Sequence, residues 1–212
     1  MRNLLLISLI PVLLAAPAAA QKSPAPMADK MKPDAPMAAK PMADKMMAPA
    51  GIPTVGSMAP AVAGTDIAGK PRTLKQLAGR KGTVLMFFRS ASWCPYCKAQ
   101  LIAMNDTAAA GLAERGYALV GLSYDSTEVL AKFAAERKVA WPLLSDPQSK
   151  VIDGWQLRDP AYPPGNRANG VPLPAVYVID KKGIIRARLM EENYRNRPQP
   201  AAVLAAVDAL GQ

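Results

Sequence analysis

Two cysteines, Cys94 and Cys97, are the residues of this sequence best suited to covalent chemistry. Two residues, Pro95 and Tyr96, separate them in the segment SWCPYC at 92–97. A pair with this spacing, placed between a strand and the helix that follows it, is typical of a redox-active dithiol. The spacing therefore predicts that Cys94 and Cys97 alternate between a dithiol and a disulfide.

The rest of the composition removes competing kinds of site. The chain has 212 residues, two cysteines and no histidine, which excludes a Ser-His-Asp triad, a Cys-His protease pair and His-ligated zinc or haem. Lys98 follows Cys97 where the attachment of c-type haem needs histidine. An inert structural disulfide is the alternative, but closing so short a loop restricts the unfolded chain little. We therefore expect neither a metal nor another cofactor.

A helix predicted to begin at Pro95 gives the two thiols different roles. The unpaired N–H groups and the positive end of the helix dipole stabilise an anion, which favours the thiolate of Cys94. Proline fits the first turn because it has no N–H to satisfy. We expect Cys94 to be the exposed nucleophile and Cys97, one turn inward, to resolve the mixed disulfide. Trp93, Pro95 and Tyr96 are expected to support substrate binding.

Apolar patterns predict the elements that hold this pair. Short apolar runs predict strands at 83–88, 117–122, 175–179 and 184–190, the last two joined by a glycine-bearing turn. Helical spacing predicts helices at 95–115, from an Asp125/Glu128 capping pair to 138, and from about Pro200. This order predicts an α/β, thioredoxin-like fold with a central mixed β-sheet flanked by helices.

The helical spacing also predicts which helix residues face the core. They are Leu101, Met104, Ala108 and Leu112 in the first helix, Leu130, Phe133 and Ala134 in the second, and Val203, Leu204, Val207 and Leu210 in the last.

Residues 83–190 resemble the redoxin group of the thioredoxin superfamily, which includes peroxiredoxins (the AhpC/TSA family) and periplasmic thiol-disulfide oxidoreductases. The similar segments are VLMFFRSASWCPYCKAQL at 84–101, VGLSYDS at 120–126, PLLSDPQSKVI at 142–152 and GVPLPAVYVIDKKGIIR at 170–186. The resemblance implies that Pro174 is a cis-proline beside the cysteine pair that helps to receive an extended substrate backbone. Pro172 is the competing candidate.

Two positions distinguish the branches of this group. Peroxiredoxins usually carry Thr or Ser three residues before the reactive cysteine and Arg near the start of the later Ile-Asp strand, where this chain has Ala91 and Pro174. The oxidoreductase branch has Trp-Cys-x-x-Cys and a proline before that strand, as this chain does. The resemblance therefore favours a thiol-disulfide oxidoreductase. A thiol peroxidase using the same cysteines is the alternative, and a noncatalytic module with a structural disulfide is the third.

The sequence does not decide the roles of three groups near the cysteine pair. Arg89 either favours the Cys94 thiolate or lies on the surface. Thioredoxins often place an acid on the strand beneath the motif, whereas TVLMFF at 83–88 has none. The proton of Cys97 would then leave to water or to a distant carboxylate such as Asp125. The segment YRNRP at 194–198 is basic and could lie near the site, but the sequence does not place it.

The N-terminus is expected to direct export. Arg2 supplies a positive region, residues 4–14 an apolar region interrupted by Pro11, and 18–20 the small residues that precede cleavage. A membrane-spanning helix would need about 20 apolar residues. We therefore expect a signal peptide at 1–20 and a periplasmic or secreted mature protein without stable membrane insertion.

Residues 21–60 have the composition of a disordered tether. PMADKM at 26–31 recurs at 41–46, and too little apolar area is present to offset the entropy of ordering. The methionines either form a Cu(I) site or belong to a repeated spacer, and the repeat favours the spacer. The folded domain is then predicted at 61–212.

The net charge and the cysteine pair also indicate which kinds of partner and substrate to expect. The formal net charge of +10 is dispersed, so it favours solubility and acidic partners, and no motif supports nucleic-acid binding. We expect the substrates to be protein or small-molecule disulfides and thiols, with peroxides as the alternative. A separate electron-donating redox partner is also expected.

Overall fold

The computed structural model describes residues 51–193 and 195–211. The predicted signal peptide and most of the predicted tether lie outside the described residues, including the candidate Cu(I) ligands Met27, Met31, Met37, Met42, Met46 and Met47. Within the described ranges, no helix has the length and apolar character needed to cross a membrane.

Within the part of the chain that the structure describes, seven strands form one mixed sheet in the order β2-β1-β5-β4-β3-β6-β7. The strands are β1 (Ala63–Asp66), β2 (Pro71–Thr73), β3 (Gly82–Phe87), β4 (Tyr117–Ser123), β5 (Leu143–Ser145), β6 (Ala175–Asp180) and β7 (Ile185–Leu189). β3, β4 and β5 are parallel to one another, β6 is antiparallel to β3, and β7 is antiparallel to β6. This is the predicted thioredoxin-like α/β fold.

The central strands are covered on both faces, as their continuous apolar runs predict. Along β3, Val84 and Met86 belong to one apolar cluster and Leu85 and Phe87 to the other. Successive side chains of a strand point to opposite faces, so a strand buried on both sides has no polar alternation. β3 is therefore a rigid base for the loop that follows it.

Six helices in the described ranges accompany the sheet. They are α1 (Leu74–Leu77), α2 (Pro95–Thr107), α3 (Ala109–Glu114), α4 (Thr127–Arg137), α5 (Lys150–Gly154) and α6 (Pro200–Asp208). α2, α3, α4 and α6 supply the predicted core residues to one face of the sheet. The exception is Leu210, which is exposed because it follows the end of α6.

Two helix predictions need correction. The helix predicted over 95–115 is interrupted at Ala108, just after Thr107 donates its hydroxyl to the carbonyl of Ala103 at 2.7 Å. Such back-bonding by threonine bends helices. The predicted cap of α4 was also wrong by one residue, since Ser126, not Asp125, accepts the N–H of Val129. Asp125 is engaged elsewhere.

The folded domain begins earlier than predicted. Gly56 donates its N–H to Ile185 O at 2.8 Å, and Ile185 donates its own to Ser57 O at 3.0 Å. Ile52 is buried in the core. Residues 51–60 are therefore part of the domain, and the boundary predicted at residue 60 is wrong, because backbone hydrogen bonds to β7 offset the poor apolar content of this segment.

Candidate active site

The cysteine pair lies where β3 ends and α2 begins. Cys94 is the N-cap of α2, Pro95 is its first residue and Cys97 is in its first turn. A disulfide joins the two cysteines, whose Cα atoms are 5.3 Å apart. The predicted pairing at a helix N-terminus is therefore present.

The helix terminus acts directly on the sulfur of Cys94. The N–H of Cys97 donates to Cys94 Sγ at 3.2 Å, so an N–H of the first turn points at the sulfur that would carry a negative charge. The side chains of both cysteines belong to the apolar cluster between α2 and the sheet, and Cys94 is only 3% exposed and Cys97 0%. The prediction of an exposed Cys94 is therefore wrong for this disulfide form.

A buried carboxylate fixes the loop that carries Cys94. Asp125, two residues past the end of β4, accepts the hydroxyl of Ser90 at 2.7 Å, the N–H of Ala91 at 2.7 Å and the hydroxyl of Ser123 at 2.9 Å. Ser90 Oγ in turn accepts the N–H of Ser92 at 2.9 Å. Burial raises the pKa of Asp125, and the hydrogen bonds it accepts oppose that shift. Asp125 therefore fixes the conformation of the loop that carries Cys94.

Arg89 is buried, not on the surface. It is 1% exposed, and its guanidinium lies 3.6 Å from the carboxylate of Asp159 and donates to the hydroxyl of Tyr162. The same group lies 4.9 Å from the ring centre of Tyr162 and 5.5 Å from that of Trp93. Arg89 therefore stacks on both rings and ties Trp93 to the 159–162 segment.

Two aromatic residues of the motif face solvent. Trp93 and Tyr96 are among the exposed large apolar residues, and Pro95 between them is exposed as well. The indole N–H of Trp93 donates to the hydroxyl of Tyr124 at 2.9 Å. Trp93 is thus held from two sides, by Arg89 and Tyr124, beside the disulfide. The predicted supporting residues are therefore brought together around the pair.

Pro174 lies at the same edge of the sheet, but not as a cis-proline. Ala175 pairs with Phe87, which puts Pro174 just past the end of the β3 ladder, where the cysteine loop begins. All peptide bonds among the described residues are trans, so the implied cis bond is wrong for Pro174 and for Pro172. The preceding residue is held by a backbone hydrogen bond, since Leu173 donates its N–H to Leu157 O at 2.7 Å.

The basic segment that the sequence did not place supplies a residue to the site. Arg197 lies just before α6 and is only 7% exposed. Its Nη2 is 3.6 Å from Cys97 Sγ and 3.9 Å from Cys94 Sγ. The pattern YRNRP was the only signal for it, because the contact joins residues 100 positions apart.

A pocket opens beside Arg197. It has a volume of about 480 Å³ and lies between the first turns of α2 and the segment that leads into α6. Tyr96 and Gln100 line it on the α2 side, and Glu191, Arg195 and Pro198 line it on the other. Gln100 donates its amide to Pro198 O at 3.4 Å. Space for a ligand therefore adjoins the residue that contacts both sulfurs.

Known proteins resemble this chain in sequence and fold. A chloroplastic peroxiredoxin Q of Sedum lineare is 31% identical over 147 residues, covering 69% of this chain and 72% of the relative. Thiol-disulfide oxidoreductase ResA of Bacillus cereus is 29% identical over 144 residues, covering 68% and 73%. The crystal structure of peroxidoxin BcpB from Mycobacterium tuberculosis superposes with a TM-score of 0.63 at 26% identity, covering 74% of this chain and 97% of the other.

The family model agrees with these relatives, whose names come from both branches of the group. The model of the AhpC/TSA family matches residues 55–188, a stretch that includes the cysteine pair, Arg89, Asp125 and Pro174. This chain belongs to the AhpC/TSA family.

Proposed function

We propose that this protein is a thiol-disulfide oxidoreductase in which Cys94 is the nucleophile and Cys97 the resolving thiol. The observation that carries the proposal is the disulfide at the N-terminus of α2, with Cys94 Sγ accepting the N–H of Cys97. In this position the helix terminus stabilises negative charge on Cys94 more than on a residue further along the helix.

The reaction transfers two electrons between dithiols and disulfides. In the reducing direction, the Cys94 thiolate attacks one sulfur of a substrate disulfide, forming a mixed disulfide and releasing one substrate thiolate, which takes up a proton. The Cys97 thiol loses its proton and its sulfur attacks Cys94 Sγ, which releases the second substrate thiol and forms the Cys94–Cys97 disulfide. The substrate is reduced and the protein oxidised. A dithiol donor restores the protein by the reverse exchange.

The surroundings of the pair suit this exchange. Trp93 and Tyr96 offer exposed aromatic surface next to the sulfurs, and Arg89 holds Trp93 by stacking on it. Asp125 keeps the loop in one conformation through the N–H of Ala91. A substrate would therefore bind to an aromatic surface and a loop that are already ordered, which lowers the entropic cost of binding.

A thiol peroxidase is the second candidate, favoured by the cation beside the pair and by relatives named peroxiredoxin. In that reaction the Cys94 thiolate attacks a peroxide oxygen and becomes a sulfenic acid as water or an alcohol leaves. Cys97 then forms the disulfide and releases water. Against it, Ala91 has no hydroxyl, and Ser90 uses its own hydroxyl on Asp125.

We further propose that the protein acts after export to the periplasm or the cell exterior. The composition of residues 1–20 supports this proposal, and the disulfide between Cys94 and Cys97 fits an oxidising compartment. Cell fractionation with an antibody tests it: recovery of a full-length protein in the cytoplasm alone would contradict it.

Assays of both reactions distinguish the candidates. Insulin-disulfide reduction with dithiothreitol, and peroxide consumption with the same reductant, should be measured for the wild type, Cys94→Ser and Cys97→Ser. We expect the wild type to reduce insulin, and we expect either substitution to abolish this activity. Peroxide turnover that depends on Cys94, without insulin reduction, would replace the proposal with the peroxidase. Absence of any dependence on Cys94 in both assays would remove both enzymatic functions.

A further inference from the structure

Arg197 places one guanidinium against both sulfur atoms of the redox pair. Its Nη2 approaches Cys97 Sγ to 3.6 Å and Cys94 Sγ to 3.9 Å. We propose that Arg197 is a catalytic residue that stabilises the thiolates of both cysteines once the disulfide is reduced, so that one cation serves the attack by Cys94 and the resolution by Cys97. Its part in turnover rests on the function proposed above.

The effect follows from the difference between a thiolate and the neutral forms of sulfur. The sulfur of a thiol is a weak acceptor, as is a thioether sulfur, whereas a hydrogen bond to an ionised partner is about twice as strong. A cation within about 4 Å lowers the pKa of an acidic group, and burial raises it. Arg197 and the two cysteines are all buried, so solvent screens this interaction little.

The segment around Arg197 is held in place by its own contacts. Asn196 O accepts a hydrogen bond from Arg197 Nη1 at 2.6 Å, and Gln199 donates to Arg197 O at 3.0 Å. The ring centre of Tyr96 lies 6.0 Å from the guanidinium. Gln100 anchors the next residue through Pro198 O. The position of the cation therefore depends on packing between α2 and the 196–199 segment.

Cys97 gains most from this arrangement. The helix terminus already acts on Cys94, whose sulfur accepts an N–H of the first turn. Cys97 lies inside that turn and is fully buried, and Arg197 approaches it more closely than it approaches Cys94. The cation thus stabilises the thiolate that Cys97 forms in the resolving step, while the proton itself leaves to water.

The inference also predicts the direction of the redox equilibrium. Stabilising the thiolates stabilises the reduced protein, which makes the pair a stronger oxidant. Removing the cation should therefore shift the equilibrium with glutathione toward the disulfide form of the protein. We expect a change of about tenfold in the equilibrium constant, equivalent to about 30 mV for a two-electron couple.

The test measures each thiol separately and needs no substrate. In the reduced protein with Cys97→Ser, the rate of alkylation of Cys94 by iodoacetamide is followed against pH, and Cys94→Ser gives the same profile for Cys97. We expect Arg197→Met to move the midpoint of both profiles upward by about one pH unit or more. Arg197→Lys, which keeps the charge, should move them less. Arg80→Gln removes an exposed arginine before β3, outside the site, and should leave both unchanged.

Unchanged midpoints in Arg197→Met would overturn the inference, and a shift for Cys94 alone would overturn its application to Cys97. Circular dichroism checks the fold, and Arg197→Gln replaces Arg197→Met should the latter fail to fold. Because alkylation does not depend on turnover, shifted midpoints without insulin reduction would leave this inference standing and remove the proposed oxidoreductase.

Discussion

The carboxylate of Asp125 accepts the backbone N–H of Ala91 at 2.7 Å, which ties the end of β4 to the loop that presents the cysteines. Ser90 adds a second link, because its hydroxyl donates to Asp125 and accepts the N–H of Ser92. The position of Cys94 relative to the sheet therefore depends on one buried acid that does not itself carry the redox chemistry.

Replacing Asp125 should weaken the domain. In Asp125→Asn one acceptor oxygen is lost, so at least one of the buried donors on Ser90, Ala91 and Ser123 loses its partner. A buried donor without a partner costs about 1–3 kcal/mol. We expect the free energy of unfolding to fall by about 2 kcal/mol in urea denaturation. A variant as stable as the wild type would show that this network does not stabilise the loop.

The stability difference between these two proteins should depend on pH. Burial raises the pKa of Asp125 above its ordinary value of 3.8, so the folded protein binds this proton more tightly than the unfolded chain does. The contribution of Asp125 to stability therefore increases as pH falls through the raised pKa toward 3.8. We expect the advantage of the wild type over Asp125→Asn to be larger at about pH 4 than at pH 7. A constant or shrinking advantage would contradict this sign.

The stack of Trp93, Arg89 and Tyr162 gives a further prediction. Arg89→Met removes the cation that faces the buried carboxylate of Asp159, and breaking a buried pair costs about 3 kcal/mol. Because the indole of Trp93 loses the group it stacks on, its fluorescence should also change. Arg89→Lys keeps the charge but not the planar group, so we expect it to restore part of the stability and little of the fluorescence.

The two checks on Arg89 separate its roles. Urea denaturation followed by circular dichroism reports the stability, and the difference spectrum against a Trp93→Phe background isolates the fluorescence of Trp93. If Arg89→Met were as stable as the wild type with the same Trp93 spectrum, the stack would have no structural role.

Two tyrosine hydroxyls should respond oppositely to removal. The hydroxyl of Tyr177 is buried and has no hydrogen-bond partner among the described residues, and burial raises its pKa. The hydroxyl of Tyr162 accepts a hydrogen bond from Arg89. We expect Tyr177→Phe to be neutral or to stabilise by up to about 1 kcal/mol, and Tyr162→Phe to destabilise by about 1 kcal/mol. Thermal unfolding of the pair checks this, and a clear loss in Tyr177→Phe would contradict it.

Local patterns predicted the parts of this protein whose causes are local. The continuous apolar runs of β3 and β4 predict strands covered on both faces, and they are. The spacing of Cys94 and Cys97 before a predicted helix predicts their pairing. The sequence analysis missed β1, β2 and β5. Each has only three or four residues, which is too short for an apolar pattern to show. Each also pairs with a strand that is itself short or is distant in the sequence.

The rest of the site depends on contacts that no short pattern carries. Arg89 can be buried because Asp159 and Tyr162, 70 or more positions later, pair with it. Arg197 reaches the cysteines only once α6 packs near α2. Asp125 was predicted as a helix cap, since a carboxylate three residues before Glu128 fits that pattern equally well. When a residue fits more than one local pattern, its contacts with residues distant in the sequence decide which role it takes.

Trapping the mixed disulfide tests the central claim most directly. Reduced protein with Cys97→Ser is mixed with insulin, and the covalent products are mapped by peptide mass spectrometry without reductant. Because the resolving thiol is missing, we expect a mixed disulfide between insulin and Cys94 to accumulate, and none to accumulate in Cys94→Ser. Trapping through Cys97 in Cys94→Ser, with none through Cys94, would contradict the assignment of the nucleophile and resolving thiol.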